Sequence, residues 1–145
     1  MKDRPPQSRE NHVRLHPPFH FFFSPVVAFL LISAIVRAVR HPGFASVTQI
    51  LLVLAVGTAG VLARTYALKV QDRVIRLEEQ FRLSALIGPD FPPVIHALSE
   101  AQLIALRFAS DEELPALAKR AATEKLDGKA IKAAIRNWRP DYWRV

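Results

Sequence analysis

Two long runs without formal charge constrain this chain more than any other feature. Phe19 to Val36 (FHFFFSPVVAFLLISAIV) contains no Asp, Glu, Lys or Arg across 18 residues, and Phe44 to Ala63 (FASVTQILLVLAVGTAGVLA) contains none across 20. At the α-helical rise they reach about 27 and about 30 Å, matching the roughly 30 Å hydrocarbon core of a bilayer. Burying both inside a soluble core would need more covering chain than the remainder of 145 residues supplies. The expected fold is therefore all-α, a transmembrane helical hairpin. Helix 19–40 and helix 44–64 are joined by a short external turn over 41–43, where His41-Pro42-Gly43 supplies the turn chemistry. The first run ends in Arg37-Ala38-Val39-Arg40 rather than a neutral small-residue cleavage site, so it reads as a retained anchor, not a signal peptide.

Pro17 and Pro18 suit the first turn of the first span, where a missing N–H costs nothing. Pro25 lies inside that span and takes the N–H partner from the Phe21 carbonyl, which predicts a kink at Pro25. Orientation follows from the basic residues. The segment 1–18 carries Lys2, Arg4, Arg9 and Arg14, and the stretch after the second span carries Arg64, Lys69, Arg73 and Arg76. The connector carries only Arg37 and Arg40, so both termini are expected in the cytoplasm.

No Gly or Pro falls between Thr65 and Ile87, so the second span is expected to continue as a juxtamembrane amphipathic helix over 65–87. Its main apolar stripe is Tyr66, Val70, Val74, Leu77 and Phe81, and a weaker stripe of Leu68, Ile75 and Leu86 lies opposite. Asp72–Arg76 and Glu78–Arg82 are i,i+4 pairs in the favourable order. A helix apolar on two sides either has two packing partners, the chain's own C-terminal region and a second copy or a different protein, or forms a single wide interface. Gly88-Pro89 and Pro92-Pro93 then mark a Pro-rich linker over 88–98.

Three short helices are expected in the region 99–145. Ser99 with Gln102 forms one capping box, Ser110 with Glu113 a second, and Asp127 caps a third helix whose inner face is Ile131, Ala134, Ile135 and Trp138. Forty-seven residues are too few for an independent core, so this cytosolic region should pack on the 65–87 helix.

Four segments carry a resemblance: NHVRLHPPFH (11–20), YALKVQDRVIRLEEQFRL (66–83), LSEAQLIALRFASDEELPAL (98–117) and IKAAIRNWRPDYWRV (131–145). With the intervening spans they resemble a bacterial family of small membrane proteins classed as a domain of unknown function. The resemblance implies two transmembrane helices, a cytosolic helical tail and a place in the bacterial inner membrane. It implies no activity, cofactor or catalytic residue.

With no Cys, a disulfide framework, a thiolate zinc site and a cysteine nucleophile are excluded. No phosphate loop, nucleophile elbow or dinucleotide glycine pattern occurs, so no enzyme, catalytic residue, cofactor or metal site is expected. His12, His16 and His20 recur every four residues, but Pro17 and Pro18 interrupt any shared helical face. They read as interfacial histidines. Asp111-Glu112-Glu113 reads as acidic capping of a helix start.

Two groups of residues remain as candidates for function. Ala55, Ala59 and Ala63 form a small-residue row on the second span that allows close helix approach. With Val70, Val74, Leu77, Phe81, Ile131, Ile135 and Trp138 they are the expected helix-packing positions. Lys69, Arg73 and Arg76, and then Lys129, Lys132, Arg136 and Arg139, form basic rows, and the net charge of +7 has the sign that favours anionic head groups. The expected function is a non-enzymatic, membrane-anchored interaction or scaffold module. Its partners are the lipid bilayer and either a second copy or a larger membrane assembly. A binder of anionic lipid surfaces is the alternative, and a membrane-tethered nucleic-acid binder the weakest reading.

Overall fold

In the computed structural model the described residues are 7, 8, 10, 15–88 and 91–141, and all regular secondary structure among them is helical. A π-helical segment Pro18–Phe23 leads into α1 (Ser24–Arg40). It is followed by α2 (Phe44–Ile87), α3 (Phe91–Ala97), α4 (Glu100–Leu106), α5 (Leu114–Thr123) and α6 (Gly128–Ala134). The described residues divide into two compact units, one over 15–68 and one formed from residues 7, 8 and 10 with 69–88 and 91–141. The single helix α2 contributes to both.

The first unit is the hairpin. A kink inside the helix was expected at Pro25; instead a π-helical segment lies just ahead of it, and Pro25 falls in the first turn of α1. An imino nitrogen there forfeits no α-helical bond. Ser24 Oγ donates to the Phe19 carbonyl at 2.8 Å, occupying an acceptor in the wide turn. Between α1 and α2, Ser46 Oγ donates to the His41 carbonyl at 2.6 Å, and the amides of Ser46 and Val47 both donate to the Gly43 carbonyl. The helices meet through glycines. A Cβ on Gly57 would lie 3.1 Å from Val27 Cγ1, and one on Gly60 would overlap the Phe23 ring. Ala34 and Val53 are buried here, while the large apolar side chains face outward: the apolar windows of Pro18–Arg40 and Phe44–Ile87 are only 6% and 17% buried. The core helix of a soluble protein would be covered; these two are bare.

The second unit has a core of Leu83, Leu98, Leu103, Leu106, Phe108, Leu114, Leu117, Ile131 and Ile135, with Trp138 packed against it. Its local devices were partly legible. Ser99 and Gln102 form the expected reciprocal capping box on α4, and Asp127 caps α6 by accepting from the Ala130 amide at 2.6 Å. Three expectations are corrected. The stretch read as a linker over 88–98 contains α3, with Pro92 and Pro93 in its first turn, where proline is tolerated; the three helices expected in 99–145 follow it as α4, α5 and α6.

The second capping box does not form. Pro115 fixes the start of α5 at Leu114, and the Glu113 carboxylate instead accepts from the amides of Arg136 and Asn137. Finally, α6 ends at Ala134, with Ile135 extended, so Ile135 and Trp138 reach the core from an irregular segment rather than a helical face. That segment is held by an isolated antiparallel bridge between Ala109 and Trp138, with Arg139 N donating to the Phe108 carbonyl at 2.8 Å. The Trp138 and Phe108 rings pack at a centroid distance of 4.9 Å, tilted by 34°.

Candidate functional site

The last part of α2 has two different faces. At 100° per residue, Ile75, Glu79 and Leu83 cluster on one side, and Val70, Val74, Leu77 and Phe81 on the other. The tail covers the first side. Ile75 and Leu83 are buried, and Glu79 is 3% exposed. Arg82 ties this side down: its guanidinium donates to Glu79 at 3.1 Å, to Asp111 at 2.5 Å and to the Ala109 carbonyl at 2.6 Å. Arg139 approaches Glu79 from the C-terminal segment at 3.6 Å. Buried Arg107 donates to Asp141 at 3.1 Å and to the Ile104 carbonyl at 2.6 Å, and its guanidinium lies over the Phe108 ring at 4.1 Å.

These groups surround a charged cavity of about 500 Å³, lined by Ile75, Glu78, Glu79, Arg82, Arg107, Asp111, Arg139, Pro140 and Asp141. Burial pushes the Glu79 carboxyl above its ordinary range; attraction to Arg82 and Arg139 opposes this without cancelling it, and neighbouring Glu78 adds to it. Carboxylates and guanidiniums interlocked in this way act as a clamp that fixes the tail on α2. Gln7 adds the N-terminal segment, donating to the Asp141 carbonyl at 3.2 Å and accepting from the Asp141 amide at 2.7 Å.

None of Glu79, Arg107 or Gln7 stood out in the sequence. A lone acid or base on an amphipathic stretch carries no local signal that a distant segment will cover it. The two expected i,i+4 pairs are replaced: Arg82 turns to Glu79 and Asp111 instead of Glu78, and no Asp72–Arg76 bridge forms, the Arg76 Nε being buried without a hydrogen-bond partner. Asp111-Glu112-Glu113 disperses, with Asp111 on Arg82 and Glu113 on the amides of residues 136 and 137.

The opposite side of α2 stays open. Val70, Val74, Leu77 and Phe81 are 61%, 48%, 51% and 75% exposed. Expected as packing positions, they take no part in the chain's own core. Ala55, Ala59 and Ala63 are likewise exposed, because the approach to α1 runs through Gly57 and Gly60. Ile131 and Ile135 are buried as expected, and Trp138 is half-buried.

The basic rows are split by the structure. Lys69, Arg73, Lys129 and Arg136 are exposed, whereas Lys132 sits over Phe108 at 5.7 Å, Arg139 faces Glu79, and Arg76 is half-buried. Of the histidines, His12 lies outside the described residues, and the His20 ring nitrogen Nδ1 is 3.0 Å from the His16 carbonyl.

Among the described residues, then, this is an all-helical protein with two helices long and apolar enough to cross a membrane and a helical unit locked by buried ion pairs. The chain belongs to a family of unknown function, DUF6526, whose family model matches residues 1–145. Nothing matches among curated proteins or among solved structures.

Proposed function

We propose that this is a two-pass protein of the bacterial inner membrane with both termini in the cytoplasm, and that it acts as a non-enzymatic, membrane-anchored interaction module. Support for the membrane reading comes from two helices whose apolar side chains stay uncovered. A soluble fold would not leave such a surface to water. The pairing of Gln7 with Asp141 supports an even number of crossings, since it brings residues from either side of the hairpin into one unit.

The observation that carries the interaction role is the two-faced end of α2. Its Ile75–Glu79–Leu83 side is clamped by the tail, and its Val70–Val74–Leu77–Phe81 side is apolar and open. Crosslinking in native membranes tests this, with a defined oligomer or assembly as the expected product. Recovery of monomers alone, with no copurifying protein, overturns it. Reporter fusions at the two ends test the topology and should report the same compartment.

Exposure of Lys69, Arg73, Lys129 and Arg136 supports the alternative, adsorption to anionic lipid. In vesicles, that reading requires amide protection of residues 128–139 to rise with anionic lipid content and to fall with salt.

A further inference from the structure

The open face of α2 has the pattern of a coiled-coil seam. In heptad register Val74 and Phe81 take position a, and Val70 and Leu77 take position d; the register continues in sequence through Ala67 and Ala63 on one side and Ser84 on the other. Val74 at a with Leu77 at d matches the pattern that favours two strands, while Phe81 at a and Val70 at d depart from it. Arg73 then falls at g and Glu78 at the following e, on opposite flanks of the seam. Both are exposed, and neither forms an ion pair among the described residues. Five residues apart on one helix they are rotated by about 140° and cannot meet.

Across two parallel, in-register helices, a g residue faces the e residue five positions on in its partner, so Arg73 of each chain meets Glu78 of the other. An antiparallel pair would set like flanks together, Arg73 on Arg73 and Glu78 on Glu78, which repels. The charges therefore select one arrangement, and two copies inserted the same way in one bilayer already run parallel.

We propose that the occupant of this face is a second copy of the chain, paired parallel and in register through Val70, Val74, Leu77 and Phe81, with reciprocal Arg73–Glu78 contacts. This rests on the interaction-module reading and names its partner.

The absence of native Cys allows a direct test on the full-length protein in membranes. Single substitutions Val70→Cys and Leu77→Cys at d should give disulfide-linked dimers on oxidation, and Lys69→Cys at the outward-facing c position should not. Arg73→Glu replaces two attractions with two repulsions and should weaken the dimer about tenfold. The double exchange Arg73→Glu with Glu78→Arg should restore it, which a merely misfolded variant could not do.

Equal crosslinking at 69 and 77, or a dimer indifferent to both charge variants, overturns the proposal. Absence of any self-crosslink together with a copurifying membrane protein lost on Leu77→Glu sinks the second-copy assignment and leaves the interaction module standing. No association of any kind sinks both.

Discussion

Gln102 links three parts of the tail, and its replacement has a calculable cost. Its Oε1 accepts from the Ser99 amide at 2.7 Å, and its Nε2 donates to the Ala121 carbonyl at 3.0 Å and the Leu126 carbonyl at 2.8 Å, while the side chain is buried. Gln102→Leu keeps most of the volume and deletes all three bonds. The Ala121 carbonyl retains the Leu126 amide at 3.1 Å, and the Ser99 amide, near the surface, can turn to water. The Leu126 carbonyl loses its donor in a part-buried setting. One orphaned acceptor at about 1–2 kcal/mol and a lost half of a capping box at about 1 kcal/mol give a total of about 2–3 kcal/mol.

Hydrogen exchange on the full-length protein in lipid nanodiscs reads this as a roughly 30- to 150-fold loss of protection across residues 99–126. Gln102→Glu should be worse. It keeps the acceptor for Ser99 but turns a carboxylate toward two carbonyls. A loss smaller than about threefold for the leucine variant, or wild-type protection for the glutamate variant, refutes this account of how the tail is knitted together.

Further outcomes follow from the same reasoning. Gly60→Ala drives a methyl group into the Phe23 ring and should loosen the hairpin by about 1–2 kcal/mol; Phe23→Ala in the same chain should recover part of that, so a double-mutant cycle showing no coupling refutes the contact. Arg82→Met leaves the Glu79 carboxylate buried with only the longer Arg139 contact and frees the Ala109 carbonyl, an expected cost of about 2–4 kcal/mol in the exchange stability of the tail. Glu79 itself binds a proton more tightly folded than unfolded, so its contribution is most favourable below the ordinary value of 4.5 and declines as pH rises through the raised value. Glu79→Gln should therefore gain on the wild type in thermal midpoint as pH is raised from 4 to about 7, and a pH-independent difference would refute the burial argument.

How much of this was legible in advance depended on the range of the interactions involved. The Ser99–Gln102 box and the Asp127 cap each span only four consecutive residues, and both formed. Ser110–Glu113 has the same local pattern and failed, because Pro115 shifts the helix start and two amides more than twenty residues away recruit the carboxylate. Pro92-Pro93 looked like a break in the chain and instead opens a helix, a choice that proline's fixed φ permits either way.

Sequence alone determined that the chain is helical, where the two apolar helices lie, and that the end of the second is apolar on two sides, because uncharged length and 3.6-residue periodicity are properties of the chain itself. Tertiary structure alone decided which side the tail takes. The larger stripe would win by apolar area, yet the tail settles on Ile75, Glu79 and Leu83, where Arg82 can satisfy Asp111 and the Ala109 carbonyl at once. A buried charge must be paired and an apolar surface need only be covered, so the ion pairs fix the docking side and the longer stripe is left open.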